Sequence, residues 1–282
     1  MKPIAALLFD AWGAPDAPVA LLLHGVGGSR LAWGDEVSGT GRALSQAGWR
    51  AVAVDLPGYG RSALIDPYDM AALAASVLAT LDQLGDKRAL LVGHSMGGMV
   101  AQEVAAVAPE RVSGLVLSGT SPAFGKPGGD WQQKFLHERL APLDAGQGMA
   151  ALAPALARGM ASPLAPPEAV ARCVEVMAQV SEATYRAALQ AIVGFDRRAD
   201  LARLTVPVLL LAGEHDRNAP PAVMQAMAQR IADAEFVLLP GVGHLAQMEA
   251  PEPVLRALLS FLARRFPTAD HHGSSVDVRQ PN

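Results

Sequence analysis

Gly93-His94-Ser95-Met96-Gly97 has the spacing G-x-S-x-G. It follows a buried-strand pattern and opens a helical one, the setting in which a strand–turn–helix lifts a serine hydroxyl clear of a sheet. A serine attacks a carbonyl only when a base takes its proton, and histidine is the side chain suited to that near neutrality. The chain has seven histidines: His24, His94, His137, His215, His244, His271 and His272. His244 closes the string Gly241-Val242-Gly243-His244 after the last strand-like run and is the expected base. His24 lies before the serine, and His94 adjoins it, so the His94 side chain should diverge from that of Ser95. The base needs an acid to fix its tautomer and stabilise its cation. Gly213-Glu214-His215-Asp216 offers both Glu214 and Asp216. The structural alternative for Asp216 is an Asx-type cap before Pro220-Pro221.

These residues stand at the ends of short runs that are apolar at every position. Val19–Leu23 leads to His24-Gly25-Val26-Gly27-Gly28-Ser29, and Ala51–Val54 to Asp55-Leu56-Pro57-Gly58. Ala89–Val92, Leu115–Leu117, Val206–Leu211 and Phe236–Leu239 also end at glycine-bearing turns. Non-alternating apolar runs read as strands covered on both faces. Helical spacing fills 69–84, 96–108, 220–232 and 251–265. The alternation predicts an α/β protein with a mostly parallel sheet wrapped by helices. Ligands in such sheets sit at the carboxyl ends of the strands. Between Ser121 and Asp200 no strand is legible. Helical patterns near 131–140, 146–160 and 167–193 predict a lid over that end, with substrate walls of Val, Met and Leu and few aromatics. The boundaries expected are 1–121 and 200–266 for the core, 122–199 for the helical cap and 267–282 for a disordered tail.

Composition narrows the function. The 282 residues are 51% hydrophobic and 18% charged, which excludes disorder as the overall state. A formal net charge of −4 gives no electrostatic reason to expect nucleic acid. The single cysteine, Cys173, excludes an intrachain disulfide framework and a multi-thiolate zinc site. His271-His272 without further ligands makes a poor metal site. Neither a secretory signal nor a spanning segment is legible, so a soluble cytoplasmic protein is expected, with no membrane partner and an oligomeric state left open.

Together, the strings from His24 to Ser29, Asp55-Leu56-Pro57-Gly58-Tyr59-Gly60-Arg61-Ser62, Gly93 to Gly98, Gly213 to Asp216 and Gly243-His244 resemble the α/β-hydrolase superfamily over about residues 4–266. The resemblance implies the chain order Ser95, Asp216, His244, with Asp216 as the acid because it ends the G-x-x-D string. It implies an oxyanion hole from the backbone N–H of Val26 and Met96, and a cap inserted after the sixth strand. His24 then organises its loop and Asp55 is structural. With little chain before Val19, the usual first two strands are expected to be abbreviated. The stretch from Phe195 to Leu201, with Glu249-Ala250-Pro251-Glu252, resembles the 3-oxoadipate enol-lactonase and small-esterase branch.

The function expected is hydrolysis of a small carboxylic ester or lactone through an acyl-enzyme on Ser95, with no cofactor and no metal. Carbon–carbon hydrolysis of a ring-cleavage product or β-diketone is the first alternative. Related enzymes carry Trp after the catalytic histidine, where this chain has Leu245. Cofactor-free perhydrolysis and non-catalytic ligand binding are further alternatives. Arg139, Arg158, Arg172 and Arg186 in the lid could hold a substrate carboxylate, although solvated helix faces account for arginines at such spacing.

Overall fold

The computed structural model describes residues 6–34, 37, 39–125 and 129–267. The expected tail at 268–282, including His271-His272, lies outside the described residues. In chain order the elements are β1 (Leu8–Trp12), β2 (Val19–Leu23), α1 (Thr40–Gln46), β3 (Arg50–Asp55), α2 (Met70–Leu84), β4 (Ala89–His94), α3 (Met96–Val107) and β5 (Val112–Ser118). Four helices follow: α4 (Asp130–Asp144), α5 (Met149–Met160), α6 (Pro167–Ala178) and α7 (Glu182–Val193). The chain then returns through β6 (Val208–Gly213), α8 (Pro221–Ala228), β7 (Ala234–Leu239), α9 (Ala246–Glu249) and α10 (Pro251–Arg265).

The strands form one sheet in the order β1-β3-β2-β4-β5-β6-β7. Only β1 runs antiparallel, against β3. The parallel strands are buried along nearly their whole length because helices cover both faces. Leu21, Leu23, Leu91 and Leu117 pack toward α2, α3 and the helices inserted after β5. Their neighbours Ala20, Leu22, Leu90 and Val116 pack toward α1 and α10. The chain steps from β2 to β3 and then back across β2 to β4. Loops leaving adjacent strands in opposite directions open a crevice at such a switch point. The 24–29 loop and Ser95 both leave the sheet there.

Among the described residues one strand precedes Val19, so the helical insertion follows the fifth strand in chain order; the family's count places it after the sixth. The insertion has a neck. Ala123 bridges Asp196, the Phe124 N–H donates to the Phe195 carbonyl at 3.0 Å, and the Arg197 N–H donates to the Pro122 carbonyl at 2.7 Å. Arg197 also grips the buried Glu103 carboxylate of α3, with Nε 2.7 Å from Oε2.

The helical pattern over 167–193 is two helices. Gln179 caps the first, and the Ser181 hydroxyl accepts from the Thr184 N–H at 3.1 Å, starting the second. That cap offers the backbone a local alternative to continuing the helix. No helix among the described residues is long and apolar enough to cross a membrane.

Candidate active site

Ser95 sits between β4 and α3 with φ 53° and ψ −118°, the left-handed side of backbone space that a residue with a side chain rarely occupies. The surroundings hold it there. Its N–H donates to the Ser118 carbonyl at 2.9 Å, and its carbonyl accepts from the Thr120 hydroxyl at 2.8 Å. Turning this sharply brings α3 against β2: a Cβ on Gly97 would collide with the Leu23 carbonyl. Strain of this kind is stored where a side chain must be presented.

His244 follows β7. Its Nδ1 lies 2.8 Å from Asp216 Oδ2, and both residues are buried. The other Asp216 oxygen accepts from the Asn218 N–H at 2.8 Å and the Ala219 N–H at 2.9 Å. Asp216 therefore satisfies both readings at once, the Asx turn and the partner of histidine. Burial alone would raise its pKa; His244 and the two N–H donors outweigh burial and leave the carboxyl below its ordinary value. Glu214, the competing acid, is exposed and accepts from the Gly241 N–H at 2.7 Å. Gly119, with φ 51°, packs against the pair. A Cβ there would stand 3.2 Å from both Asp216 Oδ2 and His244 Nδ1.

A cavity of about 390 Å³ opens over this end of the sheet, bordered by Ser95, His244, Val26 and Met96. The expected base, nucleophile and oxyanion donors thus face one space. His24 is buried outside it. Its Nδ1 lies 2.8 Å from the Gly25 carbonyl and its Nε2 takes the Leu56 N–H at 3.1 Å, which fixes Nδ1 as the protonated nitrogen. The Tyr59 hydroxyl donates to the Val26 carbonyl at 2.7 Å, bracing the loop from the other side. Asp55 is fully buried and accepts from the Arg30 N–H at 3.0 Å, a structural tie. His137 and His215 are exposed. No group of three or more His, Cys, Asp or Glu among the described residues could hold a metal ion.

Three contributors escape sequence reasoning. His94 diverges from Ser95 as expected, but its Nε2–H donates to the His244 carbonyl at 2.8 Å, and the two rings lie 4.9 Å apart. Glu249 is buried and accepts three backbone N–H groups: Gly243 at 2.9 Å and Leu245 at 3.0 Å, which flank His244, and Ser162 at 3.0 Å, beyond α5. The His244 N–H itself donates to the Met160 carbonyl at 2.9 Å. The third contributor is an aromatic wall. Phe124, Trp131, Phe135 and Tyr185 border the cavity, with Phe124 and Phe135 centroids 4.8 Å apart. This corrects the expectation of aliphatic walls with few aromatics. The fold gathers residues from the neck, α4 and α7 that are far apart in sequence. Leu245 borders the cavity as expected.

Two of these histidines set the acid sensitivity of the fold. Burial lowers His24 from 6.5 to about 4. Burial, with the nearby His244, lowers His94 from 6.5 to about 3. Both stay neutral in the folded protein over a window where the unfolded chain is protonated. The unfolded state then binds more protons, so stability falls as pH drops below about 6.5, and the loss is complete only below the folded values. The urea midpoint is expected to decline steadily from pH 7 to pH 4.5. A flat profile over that range would contradict this assignment.

With the fold and this geometry in hand, the family is clear: the model of the alpha/beta hydrolase fold family matches residues 18–251, and the chain belongs to that family. Known relatives are enzymes of several specificities. The chain is 34% identical over 279 residues to a Variovorax paradoxus protein named carbamate hydrolase RutD, covering 92% of this chain and 96% of that one. It is 27% identical over 263 residues to 3-oxoadipate enol-lactonase 2 of Acinetobacter baylyi, covering 92% and 94%. Among solved structures, an esterase from Thermogutta terrifontis superposes with a TM-score of 0.79 at 28% identity, covering 92% of this chain and 93% of that one. The enol-lactonase of Burkholderia xenovorans gives 0.79 at 28% identity, covering 91% and 96%.

Proposed function

We propose that the chain is a serine hydrolase that cleaves a small carboxylic ester or lactone through an acyl-enzyme on Ser95. The observation that carries this reading is the buried Asp216–His244 pair, at 2.8 Å, whose histidine borders the same cavity as a serine on a strained strand–helix turn. Asp216 accepts the His244 Nδ1–H, which leaves Nε2 as the base. Nε2 takes the Ser95 proton as Oγ attacks the carbonyl carbon. The N–H groups of Val26 and Met96 receive the oxyanion. Collapse expels the leaving oxygen, which takes the proton back from His244. Water then attacks the acyl carbon as His244 takes its proton, and the acyl–Oγ bond breaks as His244 returns that proton to Ser95, releasing the acid. The helices α4 to α7 act as a cap that supplies the walls and excludes bulk water.

Relatives named as an esterase and an enol-lactonase support this reaction class. Leu245 favours aliphatic or alicyclic acyl groups, since it offers no indole donor to a planar dienoate. The aromatic wall formed by Phe124, Trp131 and Phe135 favours the second reading, carbon–carbon hydrolysis of a conjugated ring-cleavage product. Direct competition decides between them. Short-chain p-nitrophenyl esters or an enol-lactone are expected to be turned over with higher kcat/KM than a 2-hydroxy-6-oxo-dienoate. A clear preference for the dienoate would promote the second reading.

A further inference from the structure

Lys134, Glu138, Arg139 and Arg217 border the cavity, and of these four Arg139 alone is not exposed. Arg139, on α4, is half-buried and borders the same space as Ser95 and His244. Its guanidinium carbon lies 5.2 Å from the Phe135 ring centroid. On the α7 side it hydrogen-bonds the Tyr185 phenol, which is raised by burial and partly drawn back by the charge and hydrogen bond of this guanidinium. Three carboxylates on the same two helices pair with other cations. Glu138, next in sequence, pairs with Lys134 at 3.8 Å. Asp144 and Glu182 both lie 2.7 Å from Arg186.

No ion pair among the described residues includes Arg139. Cation–π contact offsets part of the cost of holding a guanidinium away from water, but it leaves the planar N–H fork without an anion. The other lid arginines differ. Arg172 lies beside Glu175 and the Leu31 carbonyl, Arg186 is doubly paired, and Arg158 does not border the cavity. Arg217 does border it but is exposed, where water and salt screen its charge.

We infer that Arg139 anchors a carboxylate subsite, and that the acyl group delivered to Ser95 carries a second, free carboxylate. The substrate class is then a monoester of a short dicarboxylic acid, or a lactone with a pendant carboxylate. This rests on the hydrolase reading above. A guanidinium binds a carboxylate through two parallel N–H···O bonds, so it selects both charge and distance from the scissile carbonyl.

The test compares p-nitrophenyl hemiesters of succinate, glutarate and adipate with neutral p-nitrophenyl butyrate. The wild-type protein is expected to prefer one hemiester over butyrate by about tenfold or more in kcat/KM, with the preference peaking at one chain length. Arg139→Met is expected to lower that ratio by about tenfold or more, and Arg139→Lys by less, since a point charge keeps attraction but loses the fork. A wild type indifferent to all three hemiesters, or a ratio unchanged in Arg139→Met, overturns the subsite. Thermal melts of both variants identify a folding defect, and Arg139→Lys then carries the comparison.

If no ester is turned over and Ser95 resists a fluorophosphonate, the hydrolase reading fails instead. Glutarate titration by calorimetry still decides the subsite. Binding lost in Arg139→Met sustains it, and absence of binding to the wild type sinks it.

Discussion

Ser95→Ala is expected to reduce kcat by about a millionfold, the scale of losing the nucleophile from a group that works as a unit. The fold should survive. Alanine keeps the Cβ that the turn already accommodates, and the N–H and carbonyl bonds to Ser118 and Thr120 are made by the backbone and by Thr120. Paired measurements are needed: steady-state kinetics on the best ester and a thermal melt. Turnover by purified Ser95→Ala protein at the wild-type rate, free of contaminating esterase, would end the acyl-enzyme mechanism. A melt shifted by many degrees would mean that the hydroxyl has structural work not visible in its contacts.

Asp216→Asn is expected to cost about 10⁴ in kcat, through the tautomer of His244. The geometry says how. The N–H groups of Asn218 and Ala219 both point at one Asp216 oxygen, so an asparagine keeps its carbonyl on that side. Its amide NH₂ then faces His244 Nδ1, which must accept. The proton moves to Nε2, where the base should have been free to take one from Ser95. Because the turn is preserved, stability should change little. Glu214→Gln should be nearly silent, since that side chain is exposed and meets only the Gly241 N–H. A crippled Glu214→Gln beside a harmless Asp216→Asn would reverse the choice of acid.

That choice shows where sequence reading reaches its limit. The strands were legible because burial on both faces makes each one apolar throughout, and Ser95 because its glycines sit between a strand and a helix. Glu214 and Asp216 stood open on residues alone. They follow the same strand two positions apart, and only the path of the turn decides which one meets His244. The resemblance to a family chose Asp216 before any contact could. The aromatic wall was hidden for a different reason. Trp131 and Phe135 lie one turn apart on α4, but Phe124 comes from the neck and Tyr185 from another helix, so no one segment shows the wall. Glu249 was visible as part of a string, but its acceptor role depends on an amide 87 residues away. The break between α6 and α7 was signalled by Ser181, a capping residue that an unbroken apolar stripe concealed.

The triple grip of Glu249 divides the inserted helices into two kinds of part. The end of α5 belongs to the His244 loop as much as to the roof, because Met160 and Ser162 share their hydrogen bonds with His244 and its neighbours. By contrast α4, which carries Trp131, Phe135 and Arg139, meets the solvent along most of its length. Grafts from related enzymes should therefore obey a boundary inside the insertion and not at its neck. A foreign α4 changes what the cavity accepts while the histidine keeps its seat. A foreign α5 must bring an amide and a carbonyl to the same two places, or the transplant arrives with new walls and an unseated His244.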